Sequence, residues 1–215
     1  MRAVHSTREL GVLIDDTLKW QDQCAKMVTK ATALSYVILR SFSTNNISSC
    51  IKAYKVYIRP LLEFNTVTWN SCNLGDKRHI EKVQQLFTRK LMQRANMKYN
   101  TYADRLLQLN IESLELRRLQ FDLITVYKIL NNHIDITVEQ FFVPLRTTYN
   151  LRHHKFALKK PTVANSNVLQ NSFKYRVIDA WNSLPSTLVS CEYLSAFKTE
   201  LHKVPLQRFL KLKLA

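Results

Sequence analysis

Two adjacent carboxylates, Asp15 and Asp16, are the first residues whose type and spacing could do chemistry, since neighbouring aspartates are able to hold divalent metal ions against a reacting phosphoryl group. They follow an apolar, β-branched run and precede Thr17, so the expectation is a turn and a helix start, where carboxylates oppose the helix macrodipole favourably. Four cysteines, Cys24, Cys50, Cys72 and Cys191, are scattered without paired spacing and read neither as a disulfide framework nor as a zinc finger. His79 follows Cys72 and His153 adjoins His154, but zinc takes closely spaced ligand pairs. Core thiols and surface imidazoles are expected, with no metal and no cofactor. A nucleophilic Cys or Ser would need an electropositive pocket, and no spacing signals one. The chain has only 2 glycines, Gly11 and Gly75, whereas phosphate-cradling loops and nucleophile elbows need glycine for positive φ or close approach. Dinucleotide-binding and P-loop folds are excluded on that ground.

The charge is more informative. Lys and Arg number 32 against 16 Asp and Glu, a formal charge of +16, which strains a compact chain by self-repulsion unless a polyanion is its habitual neighbour. Three basic groupings are candidate nucleic-acid contacts. Lys52, Lys55 and Arg59 recur at i, i+3 and i+7. In the helix expected from about Lys77 to Arg94, residues Arg78, Lys82 and Arg89 fall within a narrow arc opposite the core edge Ile80, Val83, Phe87 and Leu91. Glu81 is the only acidic residue between Lys77 and Arg94, so ion pairs within that helix cannot consume its charge. Arg152, Lys155, Lys159 and Lys160 stud a polar stretch lower in the chain. An ordinary solvated face, a basic protein with no special ligand and an anionic membrane surface are the competing readings.

The elements that must position these residues are mainly helical. Apolar residues make up 46% of 215, enough for a real core, and a fold of this size buries roughly 70% of its unfolded surface. Glu9 to Asp15 reads as a short strand. From Asp22 to Phe42, Met27, Ala31, Leu34 and Ile38 lay one stripe along a helix that the Ser43–Asn46 breakers end. A second helix carries Ile47, Ile51, Tyr54 and Ile58 until Pro60 kinks or stops it. After the Lys77–Arg94 helix come a short one over Tyr102–Leu109 and a long one over Ser113–Leu130. The long one has Leu116, Leu119, Leu123, Val126 and Leu130 in register and Ser113 as N-cap. Periodicity fails from about Asn131 to Ser172, a connector holding Pro144 and Pro161, and two short helices follow around Phe173–Trp181 and Ser195–Leu201. The aromatics Tyr54, Tyr57, Phe64 and Trp69 sit at helical spacing beside aliphatics and read as core. The fold expected is mainly α: a helical bundle with a short N-terminal strand and a C-terminal helical extension. Its parts are 1–21 (strand and linker), 22–131 (bundle), 132–172 (irregular basic connector) and 173–215 (extension). The N-terminus is polar and the apolar runs fall short of a membrane span, so neither export nor anchoring is expected and the compartment expected is intracellular, nuclear or cytoplasmic.

Taken in order, several segments resemble the C-terminal part of reverse transcriptases from non-LTR retrotransposons, the LINE-type elements of the jockey-like kind. They are Leu10–Trp20 (Leu-Gly-Val-Leu-Ile-Asp-Asp-Thr-Leu-Lys-Trp), Ile58-Arg-Pro-Leu-Leu-Glu63 with Trp69, Ile80-Glu-Lys-Val-Gln84, Arg105-Leu-Leu-Gln-Leu109 and Leu114-Glu-Leu-Arg-Arg118 with Asp122 and Tyr127–Leu130. Phe173-Lys-Tyr-Arg176, Ala180-Trp-Asn-Ser-Leu-Pro185 and Phe197-Lys198 complete the series. Small or glycine positions of the family are held here by Ser35 and Asn65. The resemblance implies a thumb-like bundle and a C-terminal extension lying downstream of the palm, the domain whose carboxylates hold the catalytic metals of RNA-directed DNA polymerases. Asp15-Asp16 does not match the palm pair: Leu13-Ile14 precede it where the family has an aromatic-small pair, and Thr-Leu-Lys-Trp follows, as at the palm-to-thumb junction. A non-catalytic fragment that binds RNA or DNA without sequence preference is therefore expected, with the missing palm as its other partner and with neither membrane nor small-molecule substrate. A host-retained or decayed remnant, acting as a protein-protein adaptor or without a selected role, is the alternative.

Overall fold

The structure is a computed structural model and describes residues 5–42, 46–70, 73–145, 154–162, 169 and 171–213. It is mainly helical and divides into two compact units, 1–117 with 211–215, and 118–210.

The first unit opens on an antiparallel hairpin, β1 (Ser6–Glu9) and β2 (Val12–Asp15), with Glu9 opposite Val12. The lone strand expected from the sequence is thus a pair. The turn is Leu10-Gly11, with φ of 46° and 89°, and two positive φ values in a two-residue loop make the primed turn that matches strand twist. β1 is exposed along its length and shows no apolar alternation to betray it. Val12 enters the core, and the Leu13 N–H donates to the buried Gln23 side chain at 2.9 Å, pinning β2 to α1 (Gln21–Ser41). On α1, Cys24, Met27, Ala31 and Ile38 are buried, and Leu34 is half-buried beside them. Ser35 is buried too, its hydroxyl donating to the Ala31 carbonyl at 2.7 Å.

Pro60 does not stop the next helix. α2 (Ile47–Ala53) passes into a π turn (Tyr54–Ile58), where the Arg59 N–H bonds back to the Tyr54 carbonyl, and α3 (Arg59–Glu63) continues with Pro60 in its first turn. A wider turn accommodates a residue that has no N–H to give. Tyr54, Ile58 and Leu62 are fully buried as a result. Asn65 then takes φ 51°, a left-handed conformation that asparagine adopts more readily than most residues, and α4 (Thr66–Trp69) buries Trp69, whose indole N–H donates to the Phe64 carbonyl at 2.6 Å. Of the four aromatics expected inside, Tyr54 and Trp69 are buried, whereas Tyr57 and Phe64 are more than half exposed.

The long helix α5 (Leu74–Arg94) packs on α1 through Ile80, Val83, Phe87 and Leu91, the edge read from the sequence. α6 (Tyr102–Gln108) starts on a capping box between Thr101 and Asp104. α7 (Leu114–Leu130) starts on Ser113, whose hydroxyl accepts from the Leu116 N–H at 3.2 Å. The boundary between the units falls inside α7.

The second unit buries Leu123, Val126 and Tyr127 of α7 with Trp181, Leu188 and Phe197; Leu116, Leu119 and Leu130 of the expected stripe are half-buried. Trp181 lies in α10 (Ile178–Asn182), which follows α8 (Val138–Phe141) and α9 (Phe173–Arg176). α11 (Ser186–Val189) and α12 (Leu194–Leu201) complete the extension. Within the stretch expected to be irregular, α8 and an isolated bridge between Pro144 and Leu158 are ordered elements.

Candidate functional site

Asp15 is committed to its own turn: its carboxylate accepts from the backbone N–H groups of Thr17 (2.8 Å), Lys19 (3.3 Å) and Trp20 (3.1 Å), and from the Thr17 hydroxyl. The Thr17 hydroxyl foremost, and the N–H donors with it, hold this carboxyl below the usual aspartate range. Asp16 faces His5, with 3.1 Å between Oδ2 and Nδ1. Cys24 and Cys50 are buried and Cys191 half-buried, none of the three in a disulfide, while Cys72 and His153 lie outside the described residues. Among the described residues no group of three His, Cys, Asp or Glu could hold a metal ion, and no helix is long and apolar enough to cross a membrane.

The three basic groupings fare differently. Lys52 is exposed, but the Lys55 ammonium donates to the Asn110 carbonyl at 3.3 Å, and Arg59 is half-buried with Nε 3.7 Å from Glu63. Burial first, and then the neighbouring Arg117 cation, lower the Arg59 pKa below the usual range. The single basic face read from i, i+3 and i+7 is broken because a π turn inserts a residue, rotating whatever follows by about 100°. In the second unit Lys155 and Lys159 are exposed, with Lys155 over the Phe156 ring, while Lys160 is paired with Asp179 and sits over Tyr175. Arg152 lies outside the described residues.

The α5 ridge keeps its charge. Arg78, Lys82 and Arg89 are exposed, and none makes an ion pair with a described residue. Arg78 and Lys82 also line a recess of about 680 Å³ with His79, Gln85, the edge of Glu81 and the C-terminal residues Lys211, Leu212 and Lys213. Arg89 is not part of it. The tail wall was invisible to sequence reasoning, since Lys211 and Lys213 show no periodicity that would bring them to α5.

A buried carboxylate fixes that wall. Glu115, in the first turn of α7, accepts from the Lys77 ammonium at 2.6 Å and from the backbone N–H groups of Lys211 (3.1 Å) and Leu212 (2.9 Å). Burial works to raise its pKa, but the Lys77 charge and hydrogen bond, with the two N–H donors, outweigh it and leave the carboxyl below the usual glutamate range. A folded-state pKa below the unfolded value means the stabilisation is complete above about pH 4.3 and is lost as pH falls through the lower folded value. Protection of the Lys211 and Leu212 amides, taken as the ratio of the intrinsic to the observed exchange rate at each pH, should therefore be high near neutrality and fall below about pH 4, before that of the α5 core amides. If the tail amides keep the same protection factor at neutral and acid pH, the strap is not held by Glu115.

A second carboxylate shapes the floor. Glu81 is buried and accepts from the Leu114 N–H (3.0 Å), the Glu115 N–H (3.3 Å) and the Tyr102 hydroxyl (2.7 Å), which caps the start of α7 from another helix. Gln84 continues the network, accepting from the Tyr54 hydroxyl at 2.6 Å and donating to the Tyr102 oxygen at 2.9 Å. Burial, and then the Glu81 charge, push both phenols well above their ordinary range.

No family model matches the chain, and no solved structure matches it. It is similar to the uncharacterized protein B0403.1 of Caenorhabditis elegans, with 28% identity over 127 residues, 59% of this chain. The match spans 64% of the length of that relative.

Proposed function

We propose that this chain is a non-catalytic module that binds RNA or DNA through phosphate contacts, the C-terminal portion of a non-LTR retrotransposon reverse transcriptase. The observation that carries the reading is the outward edge of α5, where Arg78, Lys82 and Arg89 stand exposed with no ion pair to a described residue. Eleven residues of helix separate the first from the last, about 16 Å, long enough to follow several phosphates of one strand at about 3.4 Å each. A cation ridge without its own counter-charges gains by releasing the counterions of a polyanion. A second reading, a protein-protein adaptor, draws on the exposed apolar side chains Val56, Tyr57 and Phe64.

Salt separates the two, because polyanion binding weakens steeply with salt and apolar association does not. Titration of the chain with labelled RNA and DNA at several KCl concentrations should give a steep log-log dependence. Arg78→Gln, Lys82→Gln and Arg89→Gln together should flatten it by about 2 to 3 units on duplex, by similar factors for unrelated sequences. Far-UV circular dichroism should stay the same. An unchanged slope with intact helicity removes the ridge from the reading. A primer-extension assay alongside, with magnesium or manganese, is expected to show no product; extension abolished by Asp15→Ala and Asp16→Ala would restore those residues as catalytic.

A further inference from the structure

We infer that the recess between α5 and the C-terminal strap is a seat for the phosphodiester backbone of a single strand of nucleic acid, gripped by Arg78 and Lys82 from the helix and by Lys211 and Lys213 from the strap. This rests on the nucleic-acid reading above and narrows it to one place and one form of ligand. The recess is within the size range of ligand pockets at about 680 Å³, and among the described residues its walls carry four permanent cations against one carboxylate, Glu81. That carboxylate is already engaged by the Leu114 and Glu115 N–H groups and the Tyr102 hydroxyl, so its repulsion of an incoming phosphate is blunted. Arg78, Lys82, Lys211 and Lys213 are exposed and have no ion pair with a described residue, so their charge is unspent.

The second wall is built. Both hydrogen bonds that hold it come from the strap's backbone, to Glu115, and this leaves the Lys211 and Lys213 side chains out of the clip. Four cations exceed what one phosphate group requires, and their placement on two sides favours a chain of phosphates passing between them. A strand within a duplex is joined to its complement along its base edges and offers its phosphates from the outside, to a ridge. A free strand can be embraced from both sides. Among the described residues no aromatic ring apart from the His79 imidazole lines the recess, so backbone charge, rather than base stacking, is what it can read.

The test is fluorescence anisotropy with a labelled oligothymidylate and with a duplex of equal length, at several KCl concentrations. Lys211→Gln with Lys213→Gln is compared with Arg40→Gln with Lys98→Gln, which removes the same charge from exposed positions outside the recess. The strap variant should flatten the single-strand salt slope by about 1.4 units, at about 0.7 per phosphate contact, and lower affinity at low salt by about tenfold. The comparison variant should change the slope by less than half as much, and the strap variant should affect the duplex less than the single strand. Equal effects of the two variants on the single strand would overturn the seat while leaving the nucleic-acid reading intact. An equal or larger loss on duplex would overturn the single-strand assignment. A wild-type chain that binds neither probe would overturn the nucleic-acid reading and the seat together.

Discussion

Glu81→Ala should destabilise the first unit by about 4 kcal/mol, a large part of the total stability of an ordinary domain. The side chain is 1% exposed and accepts from two backbone N–H groups at the start of α7 and from the Tyr102 hydroxyl. Alanine leaves those donors facing a void, and each buried donor without a partner costs about 1 to 3 kcal/mol. The two helix N–H groups are the more serious loss, because the first turn of a helix has no internal acceptors for them. Glu81→Gln, which keeps the shape and one acceptor oxygen, should recover roughly half of the loss. Urea denaturation followed by circular dichroism would measure both. A cost below about 1 kcal/mol for the alanine variant would mean that α7 starts without this cap. Because Glu81 also floors the recess, both variants should be compared with wild type for nucleic-acid affinity only under conditions where each is folded.

Glu81 also shows where sequence reasoning stops. Periodicity placed α1, α5 and α7 and their core edges because apolar side chains at helical spacing have nowhere else to go, and Ile80, Val83, Phe87 and Leu91 are all buried as that spacing demands. The same helix carries Glu81, Gln84 and Thr88 fully inside, and no pattern in the sequence marks them as buried. Glu81 and Gln84 are satisfied from elsewhere, by Tyr54, Tyr102 and the start of α7, 18 to 34 residues away, whereas the Thr88 hydroxyl donates back to the Gln84 carbonyl of its own helix at 2.8 Å. The hairpin was half legible: Gly11 is where a tight turn needs positive φ, but β1 has no apolar face to announce it. The π turn was not legible, and it is what separates Arg59 from the exposed face of Lys52. Of the candidate site, the α5 half was readable from charge opposite a stripe. The strap half depends on a Glu115 contact across 96 residues.

Several short segments of the chain have architectural roles in this fold. Trp181, in the Ala180–Pro185 segment, is 1% exposed and donates its indole N–H to the Phe156 carbonyl at 3.0 Å. The neighbouring Asn182 holds both the N–H and the carbonyl of Leu158, each at 2.8 Å. Tyr127 stacks on Phe197 at 4.3 Å and donates to the Cys191 carbonyl at 2.7 Å. Trp69 closes α4 onto Phe64, and Glu63 pairs with Arg117. Side chains that tie loops to helices in this way constrain geometry at several places in the chain.

The pair that joins two of those segments gives the other large expected effect. Asp122 on α7 is buried, and it receives the Arg176 guanidinium in a fork, Nε on Oδ2 and Nη2 on Oδ1, both at 2.8 Å. Arg176 belongs to the Phe173–Arg176 segment and is itself mostly shielded, with 14% of its side chain exposed. Asp122→Ala should cost the second unit about 3 to 5 kcal/mol, because it strands a guanidinium that has been taken out of water to meet a carboxylate. Arg176→Met should cost less than that if the stem packs in place and water reaches the carboxylate through the partly open side. Replacing both partners with apolar residues, Asp122→Leu with Arg176→Met, should recover much of the loss, since the expense of a broken buried pair lies in the orphaned charge. The two single variants and the double form a cycle whose coupling should exceed about 1.5 kcal/mol. Additive effects within about 0.5 kcal/mol would show that the two side chains act independently, and that α9 is held to α7 by its apolar contacts alone.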